Sequence, residues 1–141
     1  MNQDCKHTTN YFNTLVEIAP DCPVEVAEEP KDGTSQKSTA RKQFEWIKKH
    51  PYQYTSDDVI FMAFAEKNDI SQHEMNTKRE VFFSKGQPCL RASALTKRYG
   101  WGVHYNKDGK IALYPVESLD YKKLLEDPSV TKYKAMRSSK K

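Results

Sequence analysis

Thiols are scarce in this 141-residue chain: Cys5, Cys22 and Cys89 are the three cysteines, and no two of them form a CxxC pair. That argues against a disulfide framework and against a zinc ribbon. Each reads first as a buried or inert thiol. Histidines are few and scattered, at His7, His50, His73 and His104, and none begins HxH or HxxxH. His73 and Glu74 start an HExxH pattern, but Thr77 stands where the second histidine must be, so no metal site is expected. The stretch GTSQKST looks like a phosphate-binding loop, yet Gln36 and Lys31 occupy the two required glycine positions. No apolar run approaches the roughly 20 residues of a transmembrane helix. The first residues, MNQDCKHTTN, have neither a basic nor an apolar signal region, which makes the cytoplasm the expected location and a membrane an unexpected partner.

What is present is a polar but foldable composition, 37% hydrophobic and 30% charged. The length suits one domain over residues 1–141 with a proper core. The net charge of +4 hides an asymmetry. Residues 1–77 carry 8 Lys and Arg against 13 Asp and Glu, while residues 78–141 carry 15 against 6. A basic half suits an anionic partner, or it matches the acidic half within one fold or between subunits of an oligomer.

Tyr11 to Ala19 alternates as a strand should and is stopped by Pro20 and Pro23. Residues 25–38 are acidic, then small and polar, which predicts a mobile loop. Phe44 and Ile47 mark a helix over 39–50 that ends in lysines before Pro51. Thr55 or Ser56 caps the next helix, and Asp57 and Asp58 in its first turn are explained by capping rather than by acid–base chemistry. Val59 to Ala65 is apolar on every side, which predicts a central, buried helix. Ser71 and Glu74 form a capping box for a third helix to about Phe83. Cys89 to Arg91 reads as a short strand, and Ser93 caps one or two helical turns ending at Gly100.

Trp101–Tyr105 and Lys110–Val116 make a hairpin across NKDG. Pairing Tyr105 with Ile111 and Val103 with Leu113 puts Trp101, Val103, Tyr105, Ile111 and Leu113 on one core face. Gly102, His104, Ala112 and Tyr114 take the other face, as a shallow recess or as room for a packed helix. Ser118 caps a last helix, Val130 to Arg137 is a final strand, and residues 138–141 are a basic tail. The expected architecture is α+β: a mainly antiparallel sheet of four or five strands, with three to four helices packed on one face.

Ser84 to Tyr105 (SKGQPCLRASALTKRYGWGVHY) is free of acidic residues. Lys85, Arg91, Lys97 and Arg98 flank Tyr99 and Trp101, a mixture that suits phosphates and stacked bases. The helix dipole alone explains Lys97 and Arg98 beside Gly100. Helix-turn-helix, zinc-finger and RNP1 signatures are absent. The leading expectation is a non-enzymatic binding protein for an anionic small molecule or nucleic acid. Its binding residues would be Lys85, Gly86, Gln87, Arg91, Arg98, His104 and Tyr114. The rival is an enzyme with Cys89 as nucleophile and His104 as base. No paired carboxylates suggest a hydrolase, since Glu25, Glu28 and Glu29 read as solvated and Glu117 merely precedes a cap. No cofactor is implied.

The motifs HTTNYFNTLVEIAPDCPV, YTSDDVIFMAFAE, FFSKGQPCLRASALTKRYGWGVHY, ALYPVES and KAMRS resemble those of a family of small bacterial proteins classed as a domain of unknown function. The match runs from His7 to about Ser138. It implies a stand-alone bacterial protein of one domain and carries over no activity, cofactor or catalytic residue.

Overall fold

The computed structural model describes residues 8–30 and 39–137. Four strands, β1 (Thr14–Glu17), β2 (Trp101–Tyr105), β3 (Ile111–Pro115) and β4 (Thr131–Lys134), form one sheet in the order β3-β2-β1-β4. The hairpin β2–β3 has the expected register, with Tyr105 opposite Ile111 and Val103 opposite Leu113. Gly109 closes its turn at φ +80°, a conformation natural to glycine. β1 pairs antiparallel with β2, but β4 lies parallel to β1. The sheet is therefore mixed rather than antiparallel throughout. The cause is the connection: α5 (Leu119–Glu126) carries the chain from β3 across the sheet to its far edge, so β4 runs in the direction of β3.

Five α-helices are present among the described residues: α1 (Thr39–Lys49), α2 (Ser56–Lys67), α3 (Met75–Phe82), α4 (Ala94–Lys97) and α5. They cover both faces of the sheet, not one. Phe44 and Ile47 of α1 and Val59 of α2 pack with Val16, Trp101, Val103, Tyr105, Ile111 and Leu113 on the first face. On the second face Tyr121 of α5 packs with Leu15 and Val130. Gly102 makes this possible, because a Cβ there would lie 2.4 Å from the Tyr121 ring. The Tyr121 hydroxyl then accepts from the Ile18 amide at 3.1 Å, tying α5 to the end of β1.

Local chemistry sets the helix ends. Thr55 and Asp58 form a reciprocal capping box at the start of α2. Ser93 and Ser118 cap α4 and α5 as their sequence positions indicate. Ser71 behaves differently: its hydroxyl donates to the Glu74 carboxylate at 2.9 Å, and a 3-10 turn over Gln72–Glu74 precedes α3. α2 is buried at Val59, Phe61, Ala63 and Ala65, but Phe64 is exposed, so one side of this helix reaches solvent. Leu90–Ala92 is a 3-10 turn rather than a strand, because Ala92 and Ser93 amides bond back three residues to Cys89 and Leu90 carbonyls.

Residues 25–30 of the predicted loop form neither helix nor strand and are tied to the rest of the fold by hydrogen bonds. The Trp101 indole donates to the Glu28 carbonyl at 2.8 Å, the Glu28 amide to the Tyr99 carbonyl, and the Ala27 amide to the Glu117 carboxylate. These bonds join residues some seventy to ninety positions apart in the chain, which local composition does not encode. Gly100, at φ +81°, permits the approach: a Cβ would meet Val24 Cγ2 at 2.9 Å and the Ala27 backbone at 3.2 Å. The remainder of that loop, 31–38, and the tail 138–141 lie outside the described residues.

Candidate functional site

The sheet sorts the candidate residues into two groups. On the first face, Cys89 precedes the 3-10 turn over Leu90–Ala92 and Arg91 lies within it, beside β4. The Arg91 Nε donates to the Lys134 carbonyl at 2.8 Å, and its guanidinium lies over the Tyr133 ring, 5.6 Å from the centroid. The Met136 amide donates in turn to the Arg91 carbonyl. Strand edge and turn thus fix one arginine at both its backbone and its side chain. Among the described residues no carboxylate pairs with it.

Next to Arg91 stands a layer of phenols. The Tyr11 hydroxyl is 3.6 Å from Cys89 Sγ, and the Tyr11 ring meets Tyr133 at 5.2 Å and Tyr105 edge-on at 5.3 Å. Burial first, then the thiol, raises Tyr11 above the ordinary tyrosine range, while Arg91 pulls it down. Beneath it Tyr105 is wholly buried, and its hydroxyl has no hydrogen-bond partner. Burial raises that phenol above the ordinary tyrosine range, and Ser56, whose hydroxyl bonds Thr9 Oγ1 at 2.9 Å, acts the other way. The capping box uses Thr55 and Asp58, whereas the Asp57 carboxylate, expected to serve the cap, accepts from the Thr9 amide and hydroxyl, each at 2.6 Å, and from Thr8, so it anchors the segment before β1.

The second face holds a different trio. The Tyr52 hydroxyl bonds His104 Nδ1 at 2.8 Å and the Tyr114 hydroxyl at 2.7 Å. Tyr52 comes from the α1–α2 connection, where its amide donates to the Ile111 carbonyl along the edge of β3. Its side chain crosses that edge toward β2 at the level of Ala112, the register partner of His104, where only a methyl group stands in the way. Tyr52 holds φ 60°, an uncommon state for a bulky residue and one that the three hydrogen bonds sustain. Burial lowers the His104 pKa below the ordinary histidine value, with the Asp127 charge opposing. Burial first, then the Tyr114 bond, raises Tyr52.

The seven predicted binding residues therefore do not converge. Tyr105 and His104 are successive in β2 and point to opposite faces. Cys89 faces Tyr11 and Tyr105, so the sheet separates it from His104, and the expected nucleophile–base pair is not assembled. The same barrier separates Arg91 from His104 and Tyr114. Gln87 has a structural task, donating its side-chain amide to the Phe82 carbonyl at the end of α3. Lys85 and Gly86 are exposed in the turn after α3, and Arg98 is exposed at the end of α4. Sequence reasoning missed Tyr11, Tyr52, Tyr105 and Tyr133 as site residues. Tyr105 was visible only as a core residue, and nothing local in HPYQYT points to a partner in a hairpin fifty residues on.

Among the described residues no group of three or more His, Cys, Asp and Glu is arranged to hold a metal ion. No helix among them is long and apolar enough to cross a membrane. No curated protein and no solved structure matches this chain. The model of one family does match, over residues 6–141, and the chain belongs to it: the family of unknown function DUF6157.

Proposed function

We propose that this is a binding protein for a small molecule bearing a carboxylate or phosphoryl group, with Arg91 as the anchor. The observation that carries the reading is the state of that side chain. It is half-buried, oriented by the Lys134 carbonyl and the Tyr133 ring, and free of any carboxylate among the described residues. A guanidinium fixed at Nε and placed against the Tyr11 hydroxyl offers its remaining N–H groups to an oxyanion. The exposed Tyr133 ring and the Tyr11 hydroxyl border the same place. A nucleic acid would call on a longer basic track, and Arg91, Arg98 and Lys85 stand on separate elements rather than along one groove.

Calorimetric or NMR titration with phosphate, pyrophosphate, nucleotides, dicarboxylates and short oligonucleotides tests the reading. A small anion should bind, Arg91→Ala should weaken it at least tenfold, Arg91→Lys should rescue it poorly, and Arg98→Ala should leave it unchanged. Absence of any small-anion binding, or equal binding by Arg91→Ala, overturns the proposal. Preference for oligonucleotides with a steep salt dependence would assign the surface to nucleic acid instead.

A further inference from the structure

Large apolar side chains left in solvent are ordinary when scattered. Here four of them fall into two patches of opposite charge. The first patch is a trough along α2 and α3. Two clefts of about 370 and 380 Å³ share Phe64, Phe82 and Gln87 in their walls, so they run into one another. The Phe64 and Phe82 rings lie 4.5 Å apart, and beside them Phe64 is 37% and Val81 61% exposed. Lys67, Lys78 and Lys85 edge the trough, and no carboxylate among the described residues lines either cleft. Glu66, next to Lys67, is taken by Lys42 at 3.2 Å. The second patch brings together Val26, 58% exposed, and Leu119, 71% exposed, on segments joined by the bond from the Ala27 amide to the Glu117 carboxylate at 2.9 Å. Exposed carboxylates adjoin both: Glu25 and Glu28 around Val26, and Asp120 after Leu119. Among the described residues, no salt bridge takes up these three, nor Lys67, Lys78 and Lys85. The lysines of α5, Lys122 and Lys123, stand about a turn beyond Leu119.

We infer that the acidic patch of one copy docks in the basic trough of another, so that this chain associates with itself. Val26 and Leu119 leave water against Phe64, Val81 and Phe82, while Glu25, Glu28 and Asp120 meet the three lysines. Magnitudes divide the work between them. An exposed ion pair contributes about 0–1 kcal/mol, whereas apolar area removed from water contributes roughly 25 cal/mol per Å². Apolar contact therefore supplies the affinity, and charge selects which faces meet. Neither patch pairs with its own kind, because lysines would then face lysines and carboxylates carboxylates. A second copy is a partner whose complementary surface is already present in the fold. The expectation that acidic and basic halves meet between subunits thus acquires named residues. Because the two patches are different surfaces of one chain, the contact is either exchanged across a two-fold axis or repeated head to tail. Both make association rise with concentration and fall with salt.

Sedimentation velocity of the full chain, from low micromolar to near-millimolar concentration and at low and half-molar salt, tests this. The average mass should rise with concentration at low salt and fall toward that of the monomer at high salt. Lys78→Glu with Lys85→Glu should leave a folded monomer, and so should Glu25→Lys with Glu28→Lys. All four positions are exposed, so melting midpoints close to that of the wild type are expected and verify the fold. Mixing the two double variants is the sharper step. Each repels itself, but each offers the other complementary patches, so association should return. Val81→Ser, which removes apolar surface and no charge, should weaken self-association several-fold. A chain that stays monomeric throughout, an oligomer indifferent to either charge reversal, or a mixture that fails to associate overturns the inference. Arg91 lines neither cleft of the trough and is untouched by these substitutions, so this inference and anion binding at Arg91 fail separately.

Discussion

Tyr105 and His104 are consecutive residues of one strand, yet their polar atoms meet opposite conditions. His104 points to the face covered by α5, where Tyr52 reaches around the sheet edge and Tyr114 completes a chain of short hydrogen bonds. Tyr105 points to the face covered by α1 and α2, where its ring is fully packed and its hydroxyl unmatched. The second face spends polar side chains on holding itself together. The first face leaves a phenol without a hydrogen-bond partner and a fixed guanidinium without a carboxylate, which is unused capacity. Unused capacity is the better mark of a site, because a satisfied network gains nothing from a ligand.

That contrast can be broken most severely on the second face, at Gly102. Gly102→Ala forces a methyl group into the Tyr121 ring, whose hydroxyl is already committed to Ile18. We expect a loss of about 3 kcal/mol, the upper end for overpacking, and a fall of roughly 10 °C in the melting midpoint. A thermal or urea transition measures it, and an unchanged midpoint would show that α5 does not sit on the sheet as described. Tyr52→Phe is milder. It keeps the ring but strands His104 Nδ1 and the Tyr114 hydroxyl, at a cost of about 1–2 kcal/mol. Combined with Tyr114→Phe it should show clear non-additivity, since both changes touch the same network.

The architecture was readable where its causes are local. The β2–β3 register follows from side-chain alternation and from Gly109, and the caps at Thr55, Ser93 and Ser118 follow from residues within three positions of the helix start. Failures occurred where the cause is distant. Nothing in TKYK announces that α5 will deliver it parallel to β1, and nothing in residues 25–30 announces that Trp101 will bond to the Glu28 carbonyl. The candidate site suffered most, because it depends on which sheet face each residue takes. Arg91 and Cys89 were visible as unusual residues, but His104 and Tyr114 were grouped with them only by proximity in the chain. Tyr133 enters through the pairing of β4 with β1, and Tyr11 through its ring contact with Tyr133, neither of which a short motif records.

On the first face the expected change has the opposite sign. Tyr105→Phe removes a hydroxyl that has no hydrogen-bond partner and keeps the ring that packs in the core. Stability should hold or rise by up to about 1 kcal/mol, whereas a hydroxyl with a hidden partner would make the same change destabilising by a similar amount. Urea midpoints of the two proteins decide between these outcomes. A loss comparable to that of Tyr52→Phe would erase the distinction between the faces.

The gentlest test uses protons. Burial lowers the His104 pKa in the folded protein, whereas the unfolded chain takes up that proton near pH 6.5. Between the folded and unfolded values, unfolding binds a proton, so stability falls as pH drops through that interval and is fully kept above about 6.5. Neutral His104 can accept the Tyr52 hydroxyl proton at Nδ1. Protonated His104 can only donate there, which obliges Tyr52 to turn its own proton toward Tyr114. The charged groups acting here are Asp127, which favours the protonated ring, and Asp120, which acts on Tyr52. Asp127 is itself held below the usual carboxylate range by its bonds from Ser129, so it stays ionised throughout the window in which His104 responds. His104→Asn keeps an acceptor near the Nδ1 position and removes the titration. Urea midpoints from pH 5 to 7.5 should therefore fall toward acid more steeply in the wild type than in this variant. Parallel curves would mean that His104 takes its proton as readily folded as unfolded, and the second face would then hold its histidine less tightly than its hydrogen bonds imply.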